Sequence, residues 1–598
     1  MDAVNRRLSR LCLARVAALL LAALPALAPA QGALQSILRY PSLTHPVSDP
    51  GGMVASQSKL ATAVGARVLA AGGNAVDAAV AVGFALAVTL PRAGNIGGGG
   101  FMLVYLAEEK RTVAIDYRET APAAATRDMF LDADGNADSN ASRFTRAAAG
   151  VPGTVAGLHH AHRRYGSLEW AELLAPAIEL AADGIVVSDD LSASLQRSRA
   201  RMSPHPASVA AFFKADGSSY RPGEALRQPD LANSLRLIAE QGPAAFYEGD
   251  IAALIVADMA ANGGLITAED LAAYRVVERE PVYGNYRGYE VVSMPPPSSG
   301  GVHVVQMLNV LERFPLGDYG PASAATLHTL VEVMRTAYAD RSKYLGDPDF
   351  FDVPAGWLTS EAYAERVAAA IPRDKARRSA DVGPGRPAAD ESPDTTHYSI
   401  ADADGNVVAN TYTLNFSYGS GITVPGTGML LNNEMDDFSA KPGVPNAFGL
   451  LGGEANAIEP RKRPLSSMTP TLLFRGGRPV LVTGSPGGSR IITTVLQQIV
   501  NIADFGMNLS DSIYAPRLHH QWYPDIVFHE RGFSPDTLKL LRDKGHTLTP
   551  TPFGMGSLQS IAIDDGVFHG ASDPRRPDAG AAGPASVRCE RQAAACGF

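Results

Sequence analysis

The sequence predicts an α+β protein, because a helix-rich first half gives way to strand patterns near residue 395. Residues 155–275 carry mostly helical spacing of apolar side chains. Residues 395–401 and 407–415 instead alternate, and they are rich in β-branched and aromatic side chains. With 598 residues, 46% hydrophobic and 19% charged, the chain has a globular composition and is long enough for more than one ordinary domain.

Residues 1–30 have the pattern of a secretory signal peptide. Four arginines precede an apolar stretch, 16–28, that is too short to span a bilayer, and residues 28–30 offer an Ala-x-Ala cleavage site. An uncleaved membrane anchor is the alternative, and the Arg6-Arg7 pair leaves twin-arginine export open. We therefore expect an exported protein, either periplasmic or secreted.

Charge and cysteine content exclude several classes of protein. Removing residues 1–30, with four arginines and one aspartate, changes the formal net charge from −9 to −12. A net negative charge of this size argues against a nucleic-acid-binding protein. No later apolar run is long enough for a membrane span. Cys589 and Cys596 lie in an Ala/Gly/Pro-rich segment, 575–598, expected to be a flexible tail, where a surface disulfide is possible. They make a poor zinc site, and no metal or organic cofactor is expected.

Four consecutive glycines, 97–100, mark the clearest break between predicted secondary-structure elements in the first half of the chain. They follow a predicted helix at 75–88, which Asn74 is expected to cap, and they precede a predicted strand at 101–106. No Gly-Lys-Ser/Thr follows them and they do not open a helix, so neither a P-loop nor a dinucleotide fingerprint is predicted. Their expected role is close approach by other segments of the chain.

Two groups of histidines have structural interpretations. His159, His160 and His162 lie beside two arginines, and a solvated basic helix face is favoured over a metal site. His519 and His520 are assigned to packing.

Thr395 and Thr396 stand at the head of the strand-rich part. A cut before Thr395 would give an N-terminal residue that carries a nucleophilic hydroxyl and an α-amine base. The amine, with a reference pKa of about 7.7–8.0, can take the proton at neutral pH without a histidine. A Thr-Thr pair is a weak motif alone, so the neighbouring segments decide.

The predicted hairpin turn at 402–406 determines what lies beside Thr395. An odd loop centred on Gly405 would place residue 395 opposite Asn415, with Thr413 on the same sheet face. A two-residue loop would place Thr413 on the other face.

A second pair of glycines, Gly487 and Gly488, lies between a predicted strand at 479–483 and a helix ending near 503. Glycines before a helix offer free N–H groups at the positive end of its dipole, as an oxyanion hole requires. A plain strand-to-helix turn explains the pattern equally well in isolation.

Eight segments follow one another in a fixed order: 72–77, 97–100, 116–119, 395–399, 411–415, 432–438, 463–468 and 484–490. Together they resemble the γ-glutamyltransferase family. Agreement extends from about residue 53 to residue 574.

The resemblance implies a four-layer αββα sandwich of the N-terminal-nucleophile hydrolase type, two stacked sheets between helical layers. It also implies autocatalytic cleavage between Asp394 and Thr395. The products would be a large subunit, 31–394, and a small catalytic subunit, 395–598, which stay together as a heterodimer.

The same resemblance implies the catalytic roles. Thr395 attacks a γ-glutamyl amide such as glutathione, Thr413 orients its hydroxyl, and the N–H groups of Gly487 and Gly488 stabilise the oxyanion. The γ-glutamyl-enzyme ester then reacts with water, or with an amino acid or dipeptide, which predicts ping-pong kinetics.

Six residues suit the zwitterionic α-amino-acid end of the donor. Arg118, Ser466 and Ser467 suit its carboxylate, and Asn415, Glu434 and Asp437 suit its ammonium. Considered one at a time, Arg118 would be interpreted as part of a surface ion pair, and Glu434 and Asp437 as solvated turn residues.

Two positions differ from some family members. Glu434 is glutamine in some of them, and Phe448 stands where a bacterial form has a tyrosine in its lid loop, here 442–453. Phenylalanine keeps the shielding bulk of this lid gate but loses a hydroxyl, so the ratio of hydrolysis to transfer stays open.

Two alternative functions remain. A cephalosporin or glutaryl acylase of the same fold is disfavoured by the zwitterion pocket. A non-catalytic exported binding relative is disfavoured by Thr395, Thr413 and the paired glycines. A serine hydrolase fits poorly, since no Gly-x-Ser-x-Gly elbow is found.

Overall fold

A computed structural model describes residues 42, 44–383, 395–446, 449–552 and 554–588. The expectations for residues 1–30, Asp394, Phe448, Cys589 and Cys596 therefore concern positions outside the described residues.

The described strands form two seven-stranded sheets and two small ones. Their bounds are β1 (Val47–Asp49), β2 (Gly52–Ser56), β3 (Gly99–Leu106), β4 (Arg111–Tyr117), β5 (Ile185–Val186), β6 (Ala225–Leu226), β7 (Val277–Arg279), β8 (Val282–Tyr286), β9 (Tyr289–Ser293), β10 (Thr396–Asp402), β11 (Val407–Thr413), β12 (Thr471–Arg475), β13 (Arg478–Thr483), β14 (Leu518–His519), β15 (Val527–His529), β16 (Leu548–Pro550), β17 (Gln559–Asp564), β18 (Val567–Ser572) and β19 (Gly580–Ala582).

The α-helices dominate the first two thirds of the chain. Their bounds are α1 (Lys59–Ala70), α2 (Ala75–Thr89), α3 (Ala141–Phe144), α4 (Thr154–Tyr165), α5 (Trp170–Asp183), α6 (Asp189–Met202), α7 (Pro206–Phe212), α8 (Pro229–Gln241), α9 (Ala244–Tyr247), α10 (Asp250–Ala261), α11 (Ala268–Ala273), α12 (Gly300–Leu311), α13 (Leu316–Tyr319), α14 (Ala324–Tyr344), α15 (Ala355–Leu358), α16 (Glu361–Ala369), α17 (Arg490–Ala503), α18 (Leu509–Tyr514) and α19 (Pro535–Asp543). Among these helices, none combines the length and apolarity that crossing a bilayer requires.

The two large sheets stack face to face. The first sheet has the strand order β19-β2-β10-β11-β3-β4-β7, and the second has the order β1-β18-β17-β13-β12-β9-β8, with antiparallel neighbours throughout. A buried apolar layer joins them, in which Leu103 and Ala409 of the first sheet cluster with Leu472, Val482 and Ile561 of the second. Removing this layer from water is the main stabilisation of the stack.

Helices cover both outer faces of the stack. On the first sheet, α1 contacts β2, α2 contacts β10 and β11, and α4 contacts β3 and β4. On the second sheet, α12 contacts β8 and β9, and α14 and α17 pack against α12. The four-layer αββα sandwich expected from the resemblance is confirmed.

Helix α2 is fixed beneath the central hairpin by its cap and by two tyrosines. As predicted, Asn74 caps it: its Oδ1 accepts hydrogen bonds from the N–H groups of Val76 (2.9 Å) and Asp77 (3.0 Å). Such caps contribute about 1 kcal/mol. The hydroxyls of Tyr398 on β10 and Tyr412 on β11 donate to carbonyls of α2, at 2.9 and 2.8 Å. The helix therefore supports the two strands that carry the candidate site.

The glycine run is partly inside a strand rather than wholly before it. Gly99 and Gly100 belong to β3, and none of the four glycines has a positive φ. Close approach explains them instead, as predicted. A Cβ on Gly98 would lie 1.9 Å from the Thr413 carbonyl oxygen, and a Cβ on Gly100 would lie 2.4 Å from that of Thr411. The run lets the end of β11 lie directly against β3.

The flexible tail expected from residue 575 is wrong for the described part of that segment. Strand β19 pairs with β2 at the edge of the first sheet. Arg575 Nη2 forms a 2.5 Å ion pair with Glu530, and Arg575 Nη1 lies 3.1 Å from Asp573. Residues 575–588 are part of the sandwich.

Candidate active site

Thr395 lies buried immediately before β10, at the centre of the first sheet. The hairpin pairs Thr396 with Tyr412 and Ala401 with Val407. Extending that register by one position places Thr395 opposite Thr413. The shared face expected for an odd loop is therefore confirmed, but the partner of Thr395 is Thr413 rather than Asn415.

The error in the predicted register comes from the centre of the turn. The loop has five residues, as predicted, but it is centred on Asp404 and not on Gly405. Asp402 organises it, since its Oδ1 accepts hydrogen bonds from the N–H groups of Asp404 (3.0 Å) and Asn406 (2.9 Å). This Asx-type pattern is a side-chain effect that strand alternation does not reveal.

Asn415 lies two residues past the end of β11 in a left-handed conformation, with φ of 74°. Its N–H donates to Thr413 Oγ1 (2.8 Å), and its side-chain amide donates to the carbonyl of Asn433 (2.9 Å). A positive φ at a residue other than glycine is costly and concentrates at functional sites. The bend holds the Asn415 amide beside the Thr413 hydroxyl.

The paired glycines reach Thr395 from the second sheet. Strand β13 packs across from β10 and β11, and the loop after it carries Gly487 and Gly488 with φ of 137° and 57°. Only glycine adopts such angles readily. Among the described residues, neither N–H donates a hydrogen bond to a protein acceptor. The geometry is that of a turn with two free donors just before α17.

One small pocket collects these groups. Eight of the predicted site residues line it. Gly487 precedes the lining residue Gly488 in the chain, and Glu434 contacts the lining residue Arg118. The predicted lining residues are Arg118, Thr395, Thr413, Asn415, Asp437, Ser466, Ser467 and Gly488. Further lining residues, not predicted from the sequence, are Arg341, Leu450, Met468, Ser489 and Ile491. Leu450 belongs to the segment assigned as the lid.

A buried ion-pair cluster forms one wall of the pocket. Arg118 Nη1 lies 2.6 Å from Glu434 Oε2 and 3.5 Å from Glu119 Oε2, and Arg118 Nη2 lies 2.5 Å from Asp437 Oδ2. The side chains of Arg118, Glu119 and Glu434 are fully buried. Arg118 is therefore not a surface ion pair, and Glu434 is not a solvated turn residue.

Three carboxyl groups around one guanidinium cannot all ionise easily. Burial raises the pKa of Glu434 well above its ordinary value, and it raises the pKa of Glu119 to about 7, although Arg118 opposes both shifts. Burial also raises the pKa of Asp437, again against Arg118. At neutral pH the cluster therefore retains at least one proton on its carboxyl groups.

Arg341 is the pocket residue that sequence reasoning most clearly missed. It lies near the end of α14, within a run from Thr326 to Arg341 that is buried throughout. Polar and apolar residues of this helix are buried alike, so no sequence pattern singles Arg341 out, and its hydrogen-bond partners come from other segments of the chain. Only the folded structure brings it to the pocket.

The histidines are structural, but they are less solvated than predicted. His160 Nε2 lies 2.8 Å from Glu278, and His162 Nε2 donates to the Leu168 carbonyl at 2.7 Å. His519 is fully buried and bonds Thr493 and Gln521, consistent with a packing role.

One cluster in the described residues has metal-ligand geometry, His328, Glu332 and His546. His328 lies thirteen residues before Arg341 on α14, roughly 20 Å along the helix axis. His328 Nδ1 is 2.8 Å from His546 Nε2, and Arg377 lies 2.6 Å from Glu332. A cation there would compete with the Arg377 guanidinium for the carboxylate.

Comparison with known proteins identifies the family. The Gamma-glutamyltranspeptidase family model matches residues 61–583. This chain belongs to the γ-glutamyltranspeptidase family. It is 55% identical over 535 residues to the glutathione hydrolase proenzyme of Escherichia coli (strain K12), covering 89% of this chain and 92% of that protein.

Solved structures of family members and acylases share the fold. A cephalosporin acylase from Bacillus halodurans has a TM-score of 0.81 and 30% identity, covering 91% of this chain and 98% of its own. Helicobacter pylori γ-glutamyltranspeptidase has a TM-score of 0.54 and 44% identity, covering 58% of this chain and 97% of its own.

Proposed function

We propose that this chain is the precursor of a self-cleaving γ-glutamyltransferase that acts on glutathione and other γ-glutamyl amides. The acyl group passes to water, or to amino acids or dipeptides. The observation that carries the proposal is the pocket itself, where Thr395, Thr413 and Gly488 face a charged wall suited to a zwitterion. The name of the Escherichia coli relative, a glutathione hydrolase proenzyme, supports it.

Maturation begins with cleavage between Asp394 and Thr395. It yields subunits 31–394 and 395–598 after residues 1–30 are removed during export. Cleavage frees the α-amine of Thr395, which then acts as the base for its own hydroxyl. The Thr395 position at the head of β10 gives the new N-terminus a fixed place against β11.

In the reaction, Thr395 Oγ attacks the γ-carbonyl carbon while its α-amine takes the hydroxyl proton. Thr413 orients the attacking hydroxyl from the opposite strand, and the N–H groups of Gly487 and Gly488 donate to the oxyanion. Losing one such donor typically raises the barrier by about 3–4 kcal/mol. The leaving amine takes the proton, and water or an acceptor amine then opens the γ-glutamyl ester.

The charged wall selects the donor. Arg118, Ser466 and Ser467 bind the α-carboxylate, and Asn415, Glu434 and Asp437 bind the α-ammonium. Arg118 is held rigidly by two carboxyl groups, so it is pre-positioned for a planar carboxylate. Leu450, in the segment 442–453 that the resemblance assigns as the lid, lines the pocket.

The strongest rival is an acylase that takes a glutaryl or cephalosporin side chain, since one such enzyme shares the fold. A glutaryl group lacks the α-ammonium. The buried polar groups of Asn415, Glu434 and Asp437 would then lack the hydrogen-bond donors that an α-ammonium supplies, which favours the γ-glutamyl donor.

Denaturing intact mass spectrometry with N-terminal sequencing tests the maturation step. The wild-type protein is expected to give two chains, the smaller beginning at Thr395, and Thr395→Ala is expected to stay whole. A single wild-type chain after prolonged incubation would contradict the mechanism.

Hydrolysis of matched anilides then tests the donor. Cleaved enzyme is expected to hydrolyse a γ-glutamyl anilide far faster than a glutaryl anilide. The reverse preference would establish the acylase, and inactivity on both would favour the binding relative.

A further inference from the structure

Arg341 is a buried cation at the pocket whose described partners are hydroxyl groups. Arg341 Nε donates to Ser299 Oγ at 2.9 Å, and Arg341 Nη2 donates to Ser467 Oγ at 3.1 Å. Among the described residues, no carboxylate forms an ion pair with it. Burial lowers the pKa of Arg341 to about 10, so the guanidinium still carries its charge at neutral pH.

The charge of Arg341 contrasts with that of its neighbour Arg118. Arg118 forms ion pairs with Glu119, Glu434 and Asp437, whereas Arg341 donates hydrogen bonds to neutral oxygens, and the Asp437 carboxyl group acts on it only from beyond ion-pair distance. A buried charge without a counter-ion in contact is costly, and an incoming carboxylate relieves that cost. Of the two arginines in the pocket, Arg341 has more electrostatic free energy to gain from an anionic ligand.

Arg341 also fixes the two serines assigned to the donor carboxylate. Because Ser467 Oγ accepts a hydrogen bond from Arg341, its own hydroxyl hydrogen is available to donate elsewhere. Ser299 Oγ accepts from Arg341 and donates to the Ser466 carbonyl at 2.7 Å. One guanidinium thus holds both residues of the pair.

The same contacts give a role to the proline-rich loop before α12. Residues 295–301 carry Ser299, whose N–H donates to the Ser466 carbonyl at 2.8 Å. The Ser466 N–H donates to the Pro297 carbonyl at 2.9 Å. Arg341, Ser299 and the loop therefore form one support behind Ser466 and Ser467.

We infer that Arg341 determines donor specificity, supplying positive charge for the α-carboxylate and orienting the Ser467 hydroxyl toward it. This inference rests on the proposed function. It separates γ-glutamyl donors, which carry the α-carboxylate, from otherwise similar acyl groups that lack it.

The test compares two donors in three forms of the enzyme. The donors are γ-glutamyl-p-nitroanilide and 4-aminobutyryl-p-nitroanilide, which keeps the amine and lacks the carboxylate. Arg341→Met is expected to lower kcat/KM for the γ-glutamyl donor about 30- to 100-fold, mainly through KM, because a charge-assisted contact is lost. The 4-aminobutyryl rate is expected to stay within about threefold. Arg341→Lys should recover part of the loss, since it restores the charge without the fork.

If the 4-aminobutyryl donor is hydrolysed too slowly to measure, inhibition constants for the corresponding free acids give the same comparison between ligands with and without the α-carboxylate. L-Glutamate is expected to inhibit Arg341→Met much more weakly than the wild type, whereas 4-aminobutyrate inhibits both equally. Lys343→Met, an exposed cation two residues further along α14, is the matched control and should leave both donors unaffected. Self-cleavage of each variant, read by intact mass, verifies that it folds.

Equal losses on both donors would overturn the inference, since they indicate a purely structural role. An unchanged γ-glutamyl rate in Arg341→Met would overturn it as well. Failure of the wild-type enzyme to hydrolyse the γ-glutamyl donor is a separate result, and it would refute the proposed function instead.

Discussion

Glu434 is a carboxyl group in an environment that favours its neutral form. It is fully buried, and its neighbours include two other carboxyl groups that share Arg118. Burial raises the pKa of Glu434 well above its ordinary value despite Arg118. A neutral glutamic acid presents one hydrogen-bond donor and one carbonyl acceptor, which a glutamine side chain also presents.

We therefore predict that Glu434→Gln retains kcat/KM for a γ-glutamyl anilide within about tenfold, a loss of no more than roughly 1.4 kcal/mol. Glu434→Leu, which removes the polar group that lies 2.6 Å from Arg118 Nη1, should lose far more. The measurement is steady-state hydrolysis at pH 7 and 8. A hundredfold loss in Glu434→Gln would mean that the enzyme needs a charged carboxylate there.

The same substitution has a pH signature in stability. The folded protein keeps a proton on Glu434 that the unfolded chain has released above about pH 4.5, the ordinary pKa of the group. Wild-type stability thus decreases as pH rises from there toward the raised pKa of the folded state. Glu434→Gln lacks this loss, so its advantage in urea unfolding should grow between pH 5 and pH 8. An advantage that shrinks over this range would contradict the assignment.

Most residues of the charged wall, Arg118, Glu434 and Asp437, were predicted from the sequence, but only through the family resemblance and the complementarity of their charges to a zwitterion. Arg118, Glu434 and Asp437 stand in segments with a recognisable order of residues, whereas Arg341 stands in a helix without any such mark. Its position depends on the packing of α14 against residues more than a hundred positions away. No local pattern encodes that contact.

The position of strand β11 depends on the glycine run 97–100. Gly98 lies where a Cβ would be 1.9 Å from the Thr413 carbonyl oxygen, so the strand end that carries Thr413 needs a residue without a side chain there. Moving β11 away would disturb Thr395 and Asn415 together, since both are placed by this strand.

We predict that Gly98→Ala destabilises the protein by about 3 kcal/mol and blocks or greatly slows self-cleavage, because overpacking against backbone cannot relax easily. Gly356→Ala is the matched control. A Cβ at Gly356 meets nothing within 4 Å, and the residue lies in a short helix, where alanine is favoured. Urea unfolding and intact mass measure both effects. Normal cleavage in Gly98→Ala would show that β11 adapts.

The β10–β11 hairpin shows which features of strand pairing can be predicted from the alternation of side chains. Strand alternation leaves both an odd loop and a two-residue loop open, and the structure has the odd one, which puts Thr395 and Thr413 on a shared face. The centre of the loop was predicted wrongly, because the Asp402 side chain sets it through hydrogen bonds to Asp404 and Asn406. Strand β19 was missed for a related reason, since three small residues at a sheet edge carry no pattern.

For the whole molecule, both sheets are built from residues on each side of the proposed cut. In the first sheet, β2 pairs with β10 and β19, and β3 pairs with β11. In the second, β1 pairs with β18, and β9 pairs with β12. The order of strands is a long-range property that local composition predicts only as α+β; the sandwich itself came from the resemblance.

This interleaving predicts that the two fragments of the cleaved enzyme behave as one folding unit. Neither fragment can leave without exposing unpaired strand edges and the apolar layer that includes Leu103 and Leu472. Size-exclusion chromatography in increasing urea should show the fragments co-eluting until far-UV circular dichroism is lost, in one cooperative transition. Thr395→Ala, whose chain stays whole, is the control and should unfold in a similar single step. Release of the small fragment while the circular dichroism remains native would mean that cleavage leaves a dissociable complex and that the shared sheets contribute little to its cohesion.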